Sequence, residues 1–228
     1  MHKAYLLVFS ICLIFFVNTG FPASKSDEIA DDYYKRAIQL PRSADLEEVF
    51  EKYARSAELG NAIAQYNLAM MYSNGESVYV DYQQAVYWFK KSAEQEFAPA
   101  QYRLGEMYYF EKGRLPRDLS KAVKLFKKAA EQHDPDALMN LAMLAGTGEG
   151  VPHNTEKALF WIKQAYENGN ESALDYQKLL TASVNGKFTE DQQKRFWIEK
   201  AAELGIREAQ IELGILDAEN ENKHANSQ

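Results

Sequence analysis

The residues of this chain that are able to do chemistry do not converge on a catalytic constellation. The four histidines are His2, His133, His153 and His224. None has a second histidine at ligand spacing, and a metal site needs several donors converging on one point. His133 and His153 fall in expected connections between helices, where a solvated imidazole is the simpler reading. No nucleophile elbow, P-loop, zincin or Ser-x-x-Lys pattern occurs. The run Gly146-Thr147-Gly148-Glu149-Gly150 matches a phosphate loop in glycine content only. No strand precedes it, and its glycines suit a turn. The sequence predicts no enzyme, no metal and no cofactor.

What the chain offers instead is a recurring binding chemistry. At 100° per residue, Ile63, Tyr66, Met70 and Ser73 share one helical face. The equivalent positions one unit later are Pro99, Tyr102, Glu106 and Tyr109, and then Asp136, Met139, Met143 and Gly146. A fourth set is Ser172, Asp175, Leu179 and Ala182. Tyrosine combines rigid area with a polar tip and methionine adapts its shape, a mixture suited to gripping a peptide. Tyr66, Met70, Tyr102, Glu106, Tyr109, Met139 and Met143 are therefore the candidate partner-binding residues. Packing between adjacent units is the competing use of the same positions, with Tyr102 and Tyr109 expected to be the exposed pair. Glu106, Asp136 and Asp175 would favour a basic segment.

These residues need helices to present them, and the helices are written as a repeat. Ala64, Ala100, Ala137, Ala173 and Ala209 recur at intervals of about 36 residues, the signature of a solenoid. Within the unit from Ala62, the residues Ala64, Leu68, Met71 and Tyr72 share a second face, and Asn74-Gly75 ends the helix. A second helix begins at Asp81 and carries Ala85, Trp88, Phe89, Ser92 and Ala93. Asp45, Asp118, Asn154 and Glu190 open the corresponding helices elsewhere. Trp88, Leu125, Trp161 and Trp197 share one position and are expected to fill the gap between units. Gly60, Gly169 and Gly205 turn the chain between units. Glu96 and His133 replace glycine there, which predicts corners of a different build.

Composition narrows the class of partner. With 33 acidic against 26 basic residues, the formal charge of the 228-residue chain is −7. That balance speaks against nucleic acid, which needs a basic stripe, and against a polybasic membrane patch. Ala4 to Val17 is an apolar run following Lys3. As a helix it would rise about 21 Å, short of a hydrocarbon core of roughly 30 Å. A signal peptide over residues 1–23 is the expectation, with an uncleaved anchor as the alternative. It implies a periplasmic or secreted protein with no membrane span after cleavage. The only cysteine, Cys12, lies within this run, so the mature chain is expected to hold no disulfide.

The pattern Ala-x-x-x-Leu-Gly/Ala-x-Met-Tyr, followed by Asp-x-x-x-Ala-Val-x-Trp-Phe-x-x-Ala-Ala, resembles the Sel1-like repeat, a relative of the tetratricopeptide repeat. The resemblance spans residues 45–215, with full units at 62–97, 98–134 and 135–170 and a degenerate one at 171–206. Residues 24–44 would form a capping helix, visible as a weak helix from Asp31 to Leu40, and 216–228 a polar, disordered tail. The resemblance implies an all-α, right-handed α-solenoid of antiparallel helix pairs whose first helices line a concave groove. It implies a non-enzymatic adaptor of the bacterial envelope that binds a protein or peptide. An envelope enzyme acting on cell-wall or β-lactam-like substrates, or an exported factor binding a host protein, are the alternatives. A cysteine-rich subgroup linked to penicillin-like ligands does not carry over, because its paired cysteines are missing.

Overall fold

The computed structural model describes residues 24–40, 45–174, 176, 177, 192, 195, 198, 199 and 214. Among them run eight α-helices, one 3-10 turn and no strand: α1 (Lys25–Gln39), α2 (Leu46–Glu58), α3 (Ala62–Asn74), α4 (Tyr82–Glu94), α5 (Ala98–Tyr109), the turn Lys112–Arg114, α6 (Leu119–Glu131), α7 (Pro135–Thr147) and α8 (Thr155–Glu167). The expectations for the signal peptide, the tail, Glu190, Trp197, Asp175, Leu179 and Ala182 lie outside the described residues.

Side-chain caps set where each helix begins. Asp45, Asp81, Asp118 and Asn154 accept from free N–H groups in the first turns of α2, α4, α6 and α8. Asn61 and Asp134 do the same for α3 and α7. Helix α5 has no side-chain cap; Pro99 occupies its first turn, where a missing N–H costs nothing. Helix α1 starts earlier than the apolar pattern indicates. Ser24 and Asp27 form a reciprocal capping box that holds a polar first turn.

Helices end in left-handed residues at Gly75 (φ 73°) and Gly148 (φ 81°). The corners between units do likewise, and here one expectation is corrected. Glu96 (φ 61°) and His133 (φ 63°) turn the chain with the same left hand as Gly60 (φ 104°) and Gly169 (φ 100°). Their φ values differ: side-chain-bearing residues fall near the ordinary left-handed minimum, whereas glycine reaches beyond it.

Each helix packs chiefly on its neighbours in sequence. The tightest pairs are α3 with α4, α5 with α6, and α7 with α8, and α2 meets α3, α4 meets α5 and α6 meets α7 between pairs. An all-α solenoid of antiparallel helix pairs results. Its core falls into three clusters bridged by half-buried residues, Tyr72 and Trp88 at one joint and Tyr108 at the next. Trp88 and Trp161 are half-buried, so tryptophan is not the principal filler of the interior. The adjacent position takes that role: Phe89, Phe126 and Ile162 are essentially inaccessible. Neighbouring residues on a helix diverge by 100°, so only one of the two can face its own first helix.

A second joint repeats between units. Gly113 (φ 69°) seats the 3-10 turn against α4, where an added Cβ would lie 2.6 Å from both the Tyr82 carbonyl oxygen and Val86 Cγ2. Gly150 (φ 68°) seats the next loop against α6, 3.1 Å from Leu119 Cβ. Polar groups also tie the two helices of a pair to each other. The Ser56 hydroxyl donates to the Ala30 carbonyl and that of Ser92 to the Ala62 carbonyl, each at 2.7 Å. Gln95 donates to the Gln65 side-chain oxygen (2.8 Å), and Gln132 to that of Gln101 (3.0 Å).

Three stability measurements follow from this packing. Phe126→Ala should cost about 3–5 kcal/mol in denaturant unfolding, and Trp161→Ala clearly less; the reverse order would contradict the assignment of the interior position. Gly113→Ala combines a backbone clash with a left-handed φ and should cost about 2–4 kcal/mol, whereas an unchanged Tm would mean that the turn does not anchor on α4. Burial, reinforced by Asp136, pushes the Asp134 carboxyl up from 3.8 to about 6 against the opposing bond from the Ala137 N–H. Between those values the folded state binds more protons than the unfolded chain, so this group's contribution to stability falls as pH rises from about 4 to 6. Asp134→Asn keeps the cap without the charge. It should raise stability at pH 7 by on the order of 1–2 kcal/mol and flatten that part of the Tm–pH profile.

Candidate functional site

The first helices of the three central pairs are nearly free of charge. Helix α3 carries none, α5 carries Arg103 and Glu106, and α7 carries Asp136. The second helices hold Lys90, Lys91, Lys124, Lys127 and Lys128 toward the surface. The solenoid thus separates a lysine-bearing face from one that is polar but poor in cations.

On the latter face α5, α7 and the segment after Gly169 enclose a cleft of about 310 Å³. Tyr102 and Tyr176 contribute aromatic surface, and Met139 and Met143 contribute thioethers. Asp136, Asn140, Asn170 and Ser172 supply polar groups. A hydrogen-bond network orders these side chains. The Tyr102 hydroxyl donates to Glu106 Oε1 (3.0 Å) and accepts from Asn140 Nδ2 (3.3 Å). Asn140 also donates to the Asp136 carbonyl (3.1 Å), and Asn170 Nδ2 donates to Asp136 Oδ1 (3.2 Å).

Burial, with the Glu106 and Asp136 carboxylates, holds the Tyr102 phenol well above its usual range, so it remains a donor. Burial works against the Arg103 charge, but Glu106 at 2.7 Å outweighs it and keeps the guanidinium firmly protonated. Arg103 also lies 5.3 Å from the Tyr102 ring centre. Such a site can bind and orient a ligand.

The seven residues singled out from the sequence separate into three places. Tyr102, Met139 and Met143 line the cleft, and Glu106 stands behind Tyr102. Met143 is only 2% exposed and Met139 9%, so both form its floor. Tyr66 is half-buried against Phe89 and Phe97, at ring separations of 5.7 and 5.5 Å, and Met70 packs on the same cluster. Tyr109 corrects an expectation: it is 4% exposed rather than open. Its hydroxyl donates to Glu149 Oε2 at 2.5 Å, and Glu149 also pairs with Arg117. The Arg117 guanidinium sits 5.5 Å from the Tyr109 ring centre. At the last turn of α5, Tyr109 has rotated beneath the next unit's loop and ties the two units together.

Asn140, Asn170 and Tyr176 are the lining residues that the tyrosine–methionine pattern misses. A signal for them exists. Asn67, Arg103, Asn140 and Tyr176 form the row one residue beyond Tyr66, Tyr102 and Met139, and Asn170 occupies the cap position of Asn61 and Asp134.

Comparison with known proteins places this architecture. The Sel1 repeat pattern matches residues 62–97, 98–134, 135–170 and 195–206. The solved Sel1 repeat protein from Oxalobacter formigenes is 29% identical, with a TM-score of 0.60 over 82% of this chain and 74% of that one. A protective antigen of uropathogenic Escherichia coli, described as displaying an SLR fold, is 28% identical, with a TM-score of 0.59 over 84% of this chain and 40% of that one. An uncharacterized protein of Neisseria meningitidis serogroup B, NMB1327, is 33% identical over 110 residues, which is 48% of this chain and 22% of the relative. The HRD3B component of an Arabidopsis thaliana ERAD-associated E3 ubiquitin ligase is 32% identical over 124 residues, or 54% of this chain and 19% of the relative. The matched segment spans about a fifth of the length of these two relatives. Sel1 repeats serve generally as scaffolds for protein–protein interaction. With three full repeats in succession and a further partial match, this chain belongs to the Sel1 repeat family.

Proposed function

We propose that this chain is a non-catalytic adaptor that holds an extended, basic segment of another protein along the face of its first helices. The observation that carries the reading is the cleft between α5, α7 and the following segment. There aromatic, thioether and hydrogen-bonding groups converge. Its rim is acidic through Asp136, and the neighbouring cation Arg103 is already paired with Glu106. Function within an assembly also fits the HRD3B relative, which is named as a component of a ligase complex. The cell envelope is the proposed compartment, on the strength of the apolar Ala4–Val17 run. Among the described residues no helix is long and apolar enough to cross a membrane.

Photo-crosslinking in the source cells tests this reading. A benzoyl-phenylalanine at position 99, on the same helix face and outside the cleft lining, should give a discrete protein adduct, whereas one at position 124, on the lysine-bearing face, should not. Ser172→Trp places bulk at an exposed position of the rim and should lower the position-99 adduct at least tenfold, roughly the loss of one binding contact. Its Tm should stay within a few degrees of the parent. Equal adducts at both positions, or an adduct indifferent to Ser172→Trp, would overturn the assignment of the binding face.

A further inference from the structure

We infer that the cleft is a subsite for a single positively charged side chain, with Asp136 and Asn140 receiving its cationic head. This rests on the groove reading above and adds to it the chemistry that one position of the ligand must have.

The inference comes from the donors and acceptors left over in the cleft. The Tyr102 hydroxyl is committed to Glu106 and that of Ser172 to Asn170 Oδ1 at 2.9 Å. The Asn140 amide nitrogen is committed to the Asp136 carbonyl and the Tyr102 oxygen. That carbonyl can only accept, which fixes the Asn140 amide with its oxygen turned away from it. Asn170 is fixed in the same way, with Nδ2 on Asp136 and Oδ1 accepting from the Ala173 N–H at 3.2 Å.

Among the described residues two acceptors remain without a hydrogen bond, the second carboxylate oxygen of Asp136 and the Asn140 carbonyl oxygen. A ligand group that satisfies both must be a donor, and beside an exposed carboxylate it is best a cation. An anionic group would meet Asp136 with no cation among the described lining residues to offset it. The apolar surfaces match the other end of such a side chain. Met139 and Met143 offer thioethers to an aliphatic stem, and the Tyr102 ring offers a face to the charged head. The volume suits one long side chain rather than a folded element.

The first helices reinforce the choice of charge. Arg103 and Glu106 cancel, so Asp136 is the uncompensated side chain among α3, α5 and α7. Arginine matches the two acceptors better than lysine, since its planar fork presents several N–H groups at once.

The test uses the full chain and three blocked heptapeptides of glycine and alanine that differ only at the centre, which is arginine, citrulline or glutamate. Citrulline keeps the shape of arginine and removes its charge. Chemical-shift titration of isotope-labelled protein should show saturable changes at Asn140 and Ser172 with the arginine peptide, with Kd on the order of millimolar. The citrulline peptide should bind at least tenfold more weakly, and the glutamate peptide should give no saturable change. Asp136→Asn, which retains an acceptor for Asn170, should bring the arginine peptide down to the citrulline level. Asp136→Glu should recover part of the difference. Equal binding of arginine and citrulline, an unchanged affinity in Asp136→Asn, or no saturable shift at the cleft with the arginine peptide would each overturn the inference. If the position-99 adduct persists in any of these cases, the groove stands and only the cationic subsite falls. Loss of that adduct as well removes the groove reading itself.

Discussion

Close approach of helices at alanine is the constraint on which the rest of this structure depends. Ala64, Ala100, Ala137 and Ala173 have no measurable exposure, and neither do Ala129 and Ala165 on the second helices. A larger side chain at these points would push the helix axes apart and open the interdigitated side chains on either side. Gly105 carries the requirement one step further. A Cβ there would lie 2.7 Å from the Phe126 ring, which fills the space that a side chain at this position would need. Since contact runs mainly between chain neighbours, stability passes along the molecule as a series of pairwise terms. The glycine-seated loops at Gly113 and Gly150 add a second link at each joint.

The same packing produces the site. A first helix touches partners on both sides and exposes only a narrow strip, so little room remains for charge on it. Helix α7 is the extreme case, buried from Ala137 to Gly146 apart from Asn140. A second helix has an open outer face, and the lysines collect there. Where the strips of successive first helices meet, their few polar residues are held by one another. Asn140 binds Tyr102 of the preceding unit, and Asn170 binds Asp136. The cleft is therefore ordered before any ligand arrives, which reduces the entropy lost on binding. The acceptors left over, on Asp136 and Asn140, are those that no donor among the described residues reaches.

Tyr102 and Tyr109 show how far residue type falls short of role. They sit seven residues apart on one helix, a spacing that suggests a common face. In the folded protein Tyr102 borders the cleft, while Tyr109 lies under the loop of the next unit with its hydroxyl on Glu149. Seven residues at 100° fall short of two full turns by only about 20°. The residues nearly share a face, and what separates them is the neighbour each one meets. The end of the helix meets a loop, and its middle meets the next first helix.

The sequence by itself determined the helical period, the places where second helices begin, the left-handed helix ends at Gly75 and Gly148, and the family. Each of these is decided by a few adjacent residues, through capping, φ preference and apolar spacing. It also brought Tyr102, Met139 and Met143 forward as binding candidates, and the structure sets all three around one cleft. It did not reveal that Phe89, Phe126 and Ile162 fill the interior more completely than the tryptophans, or that Tyr109 is a joint between units. Nor did it show which hydrogen bonds leave Asp136 and Asn140 with an acceptor to offer. Those outcomes depend on the rotation of one helix against the next and on partners more than thirty positions away, such as Tyr109 with Glu149. Repeat spacing fixes which residues are equivalent, but only the packed helices decide which of them face one another.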